Sequence, residues 1–447
     1  MRKNRQTQPS LAPSCIDHPH ARELAAISLI LESTPKIAEL ATADLVGASA
    51  SRLHGAPGMS GDQVVRAAII KQMNGYSYED LAFHLADSAS YQAFLGIGLG
   101  DQPPKRSTLA DNIGRLTPDT WEEIHRAVVR LAVRTGVETV ERVRVDATAV
   151  DANIRMPADS EMLLDTVRVL TRWMKRAREA GHKLAFRDRT RLASRRATDI
   201  RWTHRKEARL APYRDLVDAT SRTIAAAREA LTVLGEATTK VGMKAAAKLK
   251  HYLPLGEQVV AQTRRRVLEG ESVPSDEKIV SIFEEHTSII VKGRRDTQYG
   301  HKVTFAVGQR GIVLDAVVED GNPADSTLVQ RSVERSRDAL GTTPKQMAFD
   351  GSYASRANLE IAKSMGVEDV CFSKSKGLDV EEMSSTKHVH RELWKFRAGV
   401  EGWISLLKRR FGLDRCTWRG LEAFRSYVFA SIVACNLLTI VRRQAAA

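Results

Sequence analysis

The stretch with the most chemical content is Trp394-Lys-Phe-Arg397-Ala-Gly-Val-Glu401-Gly-Trp-Ile-Ser-Leu-Leu-Lys408. Read as one helix over about residues 390–411, it places Trp394, Arg397, Glu401 and Lys408 on a single face. Phe396, Val400, Ile404, Leu407 and Phe411 form an apolar stripe on an adjacent face. One side therefore anchors the helix while the other presents a carboxylate flanked by cations. Taken alone, a surface ion pair between Arg397 and Glu401 explains that face. Two further acids stand out. Asp146 lies near the middle of a strand-like run, and Asp350 ends the run Gln346-Met-Ala-Phe-Asp350 just before Gly351. Two aspartates brought side by side repel each other unless cations stand between them. Hard divalent cations take such carboxylate oxygens as ligands. Whether the two meet depends on the elements that carry them.

In residues 141–150 the side chains alternate: Val143, Val145, Ala147 and Ala149 point one way, and Arg144, Asp146, Thr148 and Val150 the other. That is a strand with an aspartate in it. Lys302–Gly308 and Ile312–Glu319 read as a hairpin around Gln309-Arg-Gly. A helix over about 324–340, the strand ending at Asp350, a helix near 355–365, a short strand from Asp369 and two closing helices (about 390–411 and 421–443) follow. A three-stranded antiparallel run, a crossover helix and further parallel strands make a ribonuclease-H-like α/β sheet with its first strand central. In that sheet Asp146 and Asp350 become neighbours although 204 positions apart, and a divalent metal site follows from the topology.

The expected architecture is an α/β ribonuclease-H-like catalytic core with a mixed sheet, an all-α N-terminal domain and a large helical insertion. Residues 1–20, with three prolines and no periodicity, read as a flexible arm. Residues 21–135 are helical, with a start at Ser60, a Ser77-x-x-Asp80 capping pattern and a break at Pro103-Pro104. Short helices with tight turns suit a DNA-reading domain and equally a plain helical bundle. The core takes residues 140–159 and 276–447, and residues 160–275 form a basic helical insertion. Between residues 161 and 220 there are 16 Lys or Arg against 8 Asp or Glu, so 8 of the 14 net positive charges lie there. Its Arg187-Asp-Arg-Thr-Arg-Leu-Ala-Ser-Arg-Arg run resembles a helix face that tracks phosphates.

Composition sets the outer limits. The chain has 447 residues, 43% hydrophobic and 27% charged, which is too apolar for disorder and too charged for a membrane protein. The uncharged stretch at residues 426–441 is 16 residues long, short of the about 20 a spanning helix needs, and reads as a buried helix. The N-terminus lacks the apolar run of a signal peptide. A net charge of +14 favours polyanionic partners. Cys15, Cys371, Cys416 and Cys435 are widely spaced and read as reduced thiols, and Cys15, His18 and His20 lack a second ligand pair at finger spacing.

Asp146, Asp350 and Glu401, with the helix around the glutamate, resemble the catalytic core of bacterial insertion-sequence DDE transposases. The relevant branch carries a Tyr-x2-Arg-x3-Glu-x6-Lys signature. This chain reads Trp394-x2-Arg397-x3-Glu401-x6-Lys408, with tryptophan in place of the tyrosine. Val-Arg-Val-Asp146-Ala-Thr, Phe-Asp350-Gly-Ser-Tyr and the stretch from Gly399 to Leu421 match the surroundings of the three acids, and residues 60–134 resemble the N-terminal domain. The resemblance implies binding to an element's terminal inverted repeats, cleavage, and strand transfer to target DNA. The alternatives are a related metal nuclease without strand transfer and a DNA-binding regulator derived from a transposase. It implies two Mg²⁺ or Mn²⁺ ions about 4 Å apart, with Asp146 bridging them, Asp350 holding one and Glu401 the other. Arg397 and Lys408 would pair with phosphates, and Trp394 or Trp403 would stack on an unpaired base, with a core position an equal alternative for Trp403 among its apolar neighbours. A homodimer on DNA in the bacterial cytosol, associated with the nucleoid, is the expected working form. Asp315, inside a strand, is the understudy for Asp146. Asp151, Asp159, Asp165, Asp320 and Asp325 read as cap or turn residues, and His388 and His390 as exposed loop histidines.

Overall fold

The structure, a computed structural model, describes residues 17–47, 58–98, 100–235, 237–291 and 297–446. The chain forms two compact units, one from residues 1–151 with 301–447 and one from residues 152–300.

The first unit begins with seven helices: α1 (Pro19–Glu32), α2 (Lys36–Val46), α3 (Gly61–Asn74), α4 (Tyr78–Asp87), α5 (Ala89–Leu95), α6 (Arg106–Ile113) and α7 (Pro118–Arg134). Their starts follow from the sequence. The Ser60 hydroxyl accepts from the Gln63 amide while Gln63 accepts from the Ser60 amide, and Ser77 and Asp80 repeat this reciprocal cap. Thr117 caps α7 ahead of a proline at its first position. Helix starts at Pro19, where the His18 ring accepts from the His20 amide, so the expected arm gives way two residues early. The rest of the arm, Cys15 included, lies outside the described residues. His20 reaches Tyr91 and Glu23. The buried guanidinium of Arg66 on α3 donates from Nε to Asp62 and from Nη1 to Ser28 and the Phe94 carbonyl.

Next come β1 (Arg142–Asp151), α8 (Asp159–Glu179), α9 (Thr190–Trp202), α10 (Lys206–Leu234), α11 (Lys240–Thr263), β2 (Ser288–Val291), β3 (Thr297–Gly308) and β4 (Val313–Val318). They are followed by α12 (Val329–Leu340), β5 (Gln346–Phe349), α13 (Arg356–Ser364), β6 (Asp369–Phe372), α14 (Val380–Met383), α15 (Lys387–Ala398), α16 (Val400–Phe411) and α17 (Leu421–Ala445). In the first unit β1 is central, between β3 and β5, with β6 beyond β5 and β4 antiparallel to β3. β1, β5 and β6 are parallel, in the register Val145–Phe349–Phe372. Val143, Val145, Met347, Phe349, Val370 and Phe372 on one face, and Arg144, Ala348 and Cys371 on the other, are all buried, as strands covered on both faces require.

α17 is long and apolar enough to cross a membrane, but 89% of its apolar window is buried inside the protein. It packs on α3, α7 and β4. Its one deeply buried amide, Asn436, accepts from the Val313 amide at 2.9 Å and donates to the Val313 carbonyl at 2.8 Å. The polar group thus takes the place of a neighbouring strand along the β4 edge.

The second unit is built on α8–α11, whose apolar faces share a core including Leu163, Leu170, Met174, Leu216 and Leu249. β2 pairs antiparallel with Thr297–Gly300.

Candidate active site

One step past the registered pair Val145–Phe349, Asp146 and Asp350 fall opposite each other on parallel strands. The expected juxtaposition is present, and Arg397 fills the space between the acids. Its Nη2 stands 3.1 Å from Asp146 Oδ2 and 2.9 Å from Asp350 Oδ1, and its Nη1 is 3.4 Å from Glu401 Oε1. The Arg397 and Asp146 side chains are only 14% and 15% exposed, whereas Glu401 is 74% exposed. A guanidinium so placed cancels the repulsion that a pair of bare carboxylates would suffer.

The register that joins the aspartates also supplies a residue sequence reasoning missed. Past Phe349–Phe372, Ser373 lies beside Asp350. Its hydroxyl donates to Asp350 Oδ1 at 2.9 Å and accepts from the Gly351 amide at 2.7 Å, while Ser352 donates to the other carboxylate oxygen. Burial raises the Asp350 pKa, but Ser373, Arg397, the Gly351 amide and Ser352 together outweigh it and hold the carboxyl below its usual range. The only sequence signal for Ser373 was its position directly after a parallel strand.

The helix expected over 390–411 is two helices broken at Gly399, with α15 before it and α16 after. The cause lies on β1. Arg144, buried among these elements, donates from Nη1 to the Phe396 carbonyl at 2.9 Å and lies over the Phe396 ring at 4.7 Å. That carbonyl also accepts from the Gly399 amide in a tightened turn. A Cβ on residue 399 would stand 2.5 Å from Arg144 Nη1, so any larger residue would have to push the guanidinium aside. Burial lowers the Arg144 pKa to about 10, and Glu138 pulls the other way. The apolar stripe is partly as expected: Val400, Leu407 and Phe411 are buried, Phe396 and Ile404 half-buried.

Trp394 is half exposed, and its indole N–H donates to the Ser373 carbonyl at 3.3 Å. Lys408 lines a cleft beside Glu401 with Thr148, Ile404, Arg409 and Asp414, and its ammonium is 3.9 Å from Asp414. Trp403 packs against the first unit's core, its ring against Gly311. His388 and His390 are not in a loop. Thr386 caps α15, which puts both histidines in its first turn, with His390 half-buried and its pKa lowered by burial.

The other acids have structural partners. Asp315 is held by Arg335 through two contacts of 2.6 Å. Asp159 pairs with Arg266, Asp165 with Arg155, Asp320 with Arg425 and Asp325 with Lys302. Cys371 and Cys435 are buried free thiols, and Cys416, also buried, reaches the Trp418 carbonyl.

The donor set suits a hard cation. Asp146 and Asp350 offer carboxylate oxygens to one point now taken by a guanidinium nitrogen, and Glu401 is joined to that point by the same guanidinium. Among the described residues no three Asp, Glu, His or Cys side chains stand together as a ready metal cluster. The two aspartates stand in adjacent register, and the Glu401 side chain is 74% exposed.

Residues 276–437 match the family model of the transposase DDE domain, and residues 19–115 match a model described as a transposase domain (DUF772). The first match contains Asp350, Ser373, Trp394, Arg397, Glu401 and Lys408, whereas Asp146 lies outside both. These matches support a DDE transposase of an insertion sequence, and the mixed sheet with its helices fits the ribonuclease-H-like core of such an enzyme. An uncharacterized protein, ORF8 in the nfe locus of Rhizobium meliloti, is 30% identical over 138 residues, which is 30% of this chain. The chain spans 64% of that relative's length. No solved structure matches.

Proposed function

We propose that the protein is a DNA transposase of the branch whose signature runs through Trp394, Arg397, Glu401 and Lys408. It binds the terminal inverted repeats of its element, cleaves DNA there and transfers the freed strands to target DNA. The observation that carries this is the arrangement of Asp146 and Asp350 in adjacent register, tied to Glu401 by Arg397. Asp146, Asp350 and Glu401 are the residues that would hold Mg²⁺ or Mn²⁺, two ions in all. Bound there, such ions lower the cost of charge on the attacking and leaving oxygens of an in-line phosphoryl transfer.

The chain's own groups do the positioning. Ser373 fixes the Asp350 carboxylate, Arg144 fixes the end of α15, and Arg397 turns its donors from the acids to a phosphate. Lys408 offers a second cation beside the cleft, and Trp394 an indole face for an unpaired base. In this reading residues 21–135 bind DNA, residues 140–159 and 276–447 form the catalytic core, and residues 160–275 are an insertion. Two element ends must be cut and joined in one assembly, so the working form is a homodimer on DNA in the bacterial cytosol.

The test is incubation of labelled element-end DNA with the protein, with Mg²⁺ or with chelator, beside Asp146→Ala, Asp350→Ala and Glu401→Ala. Nicking should require Mg²⁺ and be lost in each variant while DNA binding persists, and a joined product should appear when target DNA is added. A variant that cuts at the wild-type rate removes its residue from the site. Tight binding of native end DNA without cutting, under every metal condition, would favour a regulator.

A further inference from the structure

The insertion's basic charge is not evenly spent. On α9, Ala193, Ala197 and Ile200 are buried and define the inner face. At about 100° per residue, Arg191, Arg195 and Trp202 lie roughly 160–200° round from them, along the outer face. All three are exposed, Trp202 to 72%. The arginines on the flanks are committed within this unit. Arg196 reaches Asp199 at 3.2 Å and Asp215 at 2.7 Å, and Arg201 pairs with Glu161. Asp188, before the helix, is taken by Lys175 at 2.6 Å. Among the described residues, no carboxylate lies within ion-pair distance of Arg191, Arg195, Arg205 or Lys206. The nearest exposed acid in sequence beyond them is Glu207, in the first turn of α10.

Two guanidiniums four residues apart on one face repel each other and cost the helix stability that nothing within the unit offsets. A large exposed indole at the end of the same stripe adds unburied apolar surface. A polyanion with aromatic bases repays both: cations follow its backbone and the indole stacks on a base. From Arg191 to Trp202 the helix rises about 16 Å, the length of roughly five nucleotide steps.

We infer that the outer face of α9 is a DNA-docking surface, in which Arg191 and Arg195 engage backbone phosphates and Trp202 stacks on an unstacked base. The choice of DNA among polyanions rests on the function proposed above; the surface does not depend on the roles given to the acids.

The test is equilibrium binding of the full-length protein to a duplex and to a single-stranded oligonucleotide over a range of salt. The Arg191→Gln/Arg195→Gln double variant should lower the slope of log K against log[salt] by about 1.4–1.8, two phosphate contacts' worth. Lys244→Gln/Lys250→Gln removes the same charge from exposed positions on α11 and should leave the slope unchanged. Trp202→Ala should weaken single-strand binding about tenfold or more, and Trp202→Phe should restore most of it. Unfolding midpoints no lower than wild type confirm that each variant is folded. An unchanged slope in the α9 pair, or an equal loss in the α11 pair, overturns the inference, as does a wild-type chain with no affinity for DNA. Loss of cleavage with these slopes as expected touches only the acids.

Discussion

Arg397→Gln tests how the acids are held. The wild-type guanidinium touches three carboxylates within 3.4 Å, one of which, Asp146, is only 15% exposed. At an effective dielectric of about 20, one pair of charges about 4 Å apart is worth about 4 kcal/mol before desolvation. Removing one partner from a fully buried pair costs about 3–5 kcal/mol. Glu401 at 74% and Asp350 at 36% exposure are well solvated, which discounts the loss to about 2 kcal/mol. Urea unfolding at low salt, without divalent ions, should show that loss. Millimolar Mn²⁺ should recover it, because the variant leaves two facing aspartates with no cation between them. The wild type must displace Arg397 to admit a cation, so a Mn²⁺ titration followed by electron paramagnetic resonance should show tighter binding in the variant. Equal stability of the two proteins without metal, or weaker Mn²⁺ binding by the variant, would refute the argument.

Gly399→Ala should lower the unfolding free energy by about 1–3 kcal/mol, because the new Cβ stands 2.5 Å from an Arg144 head already fixed by Phe396. Since the same contact sets the α15–α16 break, Mg²⁺-dependent nicking should fall as well, and thermal unfolding beside a nicking assay checks both. His125 is fully enclosed, with Nε2 2.8 Å from the Val313 carbonyl, and burial lowers its pKa. In the unfolded chain it takes a proton near pH 6.5, whereas the folded site resists it, so stability present above that pH is lost as pH falls below it. The contribution approaches about 1.4 kcal/mol per pH unit. Urea midpoints from pH 7.5 to 5.5 should therefore fall more steeply in wild type than in His125→Gln.

What could be read ahead of the structure was periodic or local. Alternation from Val143 to Val150 revealed β1, and the short-range pairs Ser60–Gln63 and Ser77–Asp80 marked helix starts. The pairing of Asp146 with Asp350 was also legible, since element order leaves few sheets to choose from. The break at Gly399 was not. The helical spacing around Glu401 is uninterrupted in sequence, and the residue that breaks it, Arg144, comes from a strand about 250 positions away. Ser373 was missed for a similar reason: a serine after a four-residue strand carries no signal until the register places it against an aspartate. Arg397 was expected to face phosphates, and its contacts with all three acids depend on the same long-range packing.

The break at Gly399 and the contacts of Arg397 share one structural cause. Arg144 and Asp146 lie on the same face of β1, and Phe396 and Arg397 are consecutive on α15. The strand therefore meets the helix twice, through Arg144 on the Phe396 carbonyl and through Asp146 on Arg397. Glu401 is the one acid of the three that no strand carries, and its position relative to the aspartates is set by this double contact and by the turn at Gly399. A site for a multiply charged substrate has to stay assembled before that substrate arrives. Here one arginine, held below the surface, ties the helix to the sheet, while a second bridges the three acids at the place where a cation or a phosphate would compete with it. On this argument, changing Arg144 should harm the geometry of the site with or without DNA, whereas changing Arg397 should alter chiefly its occupancy.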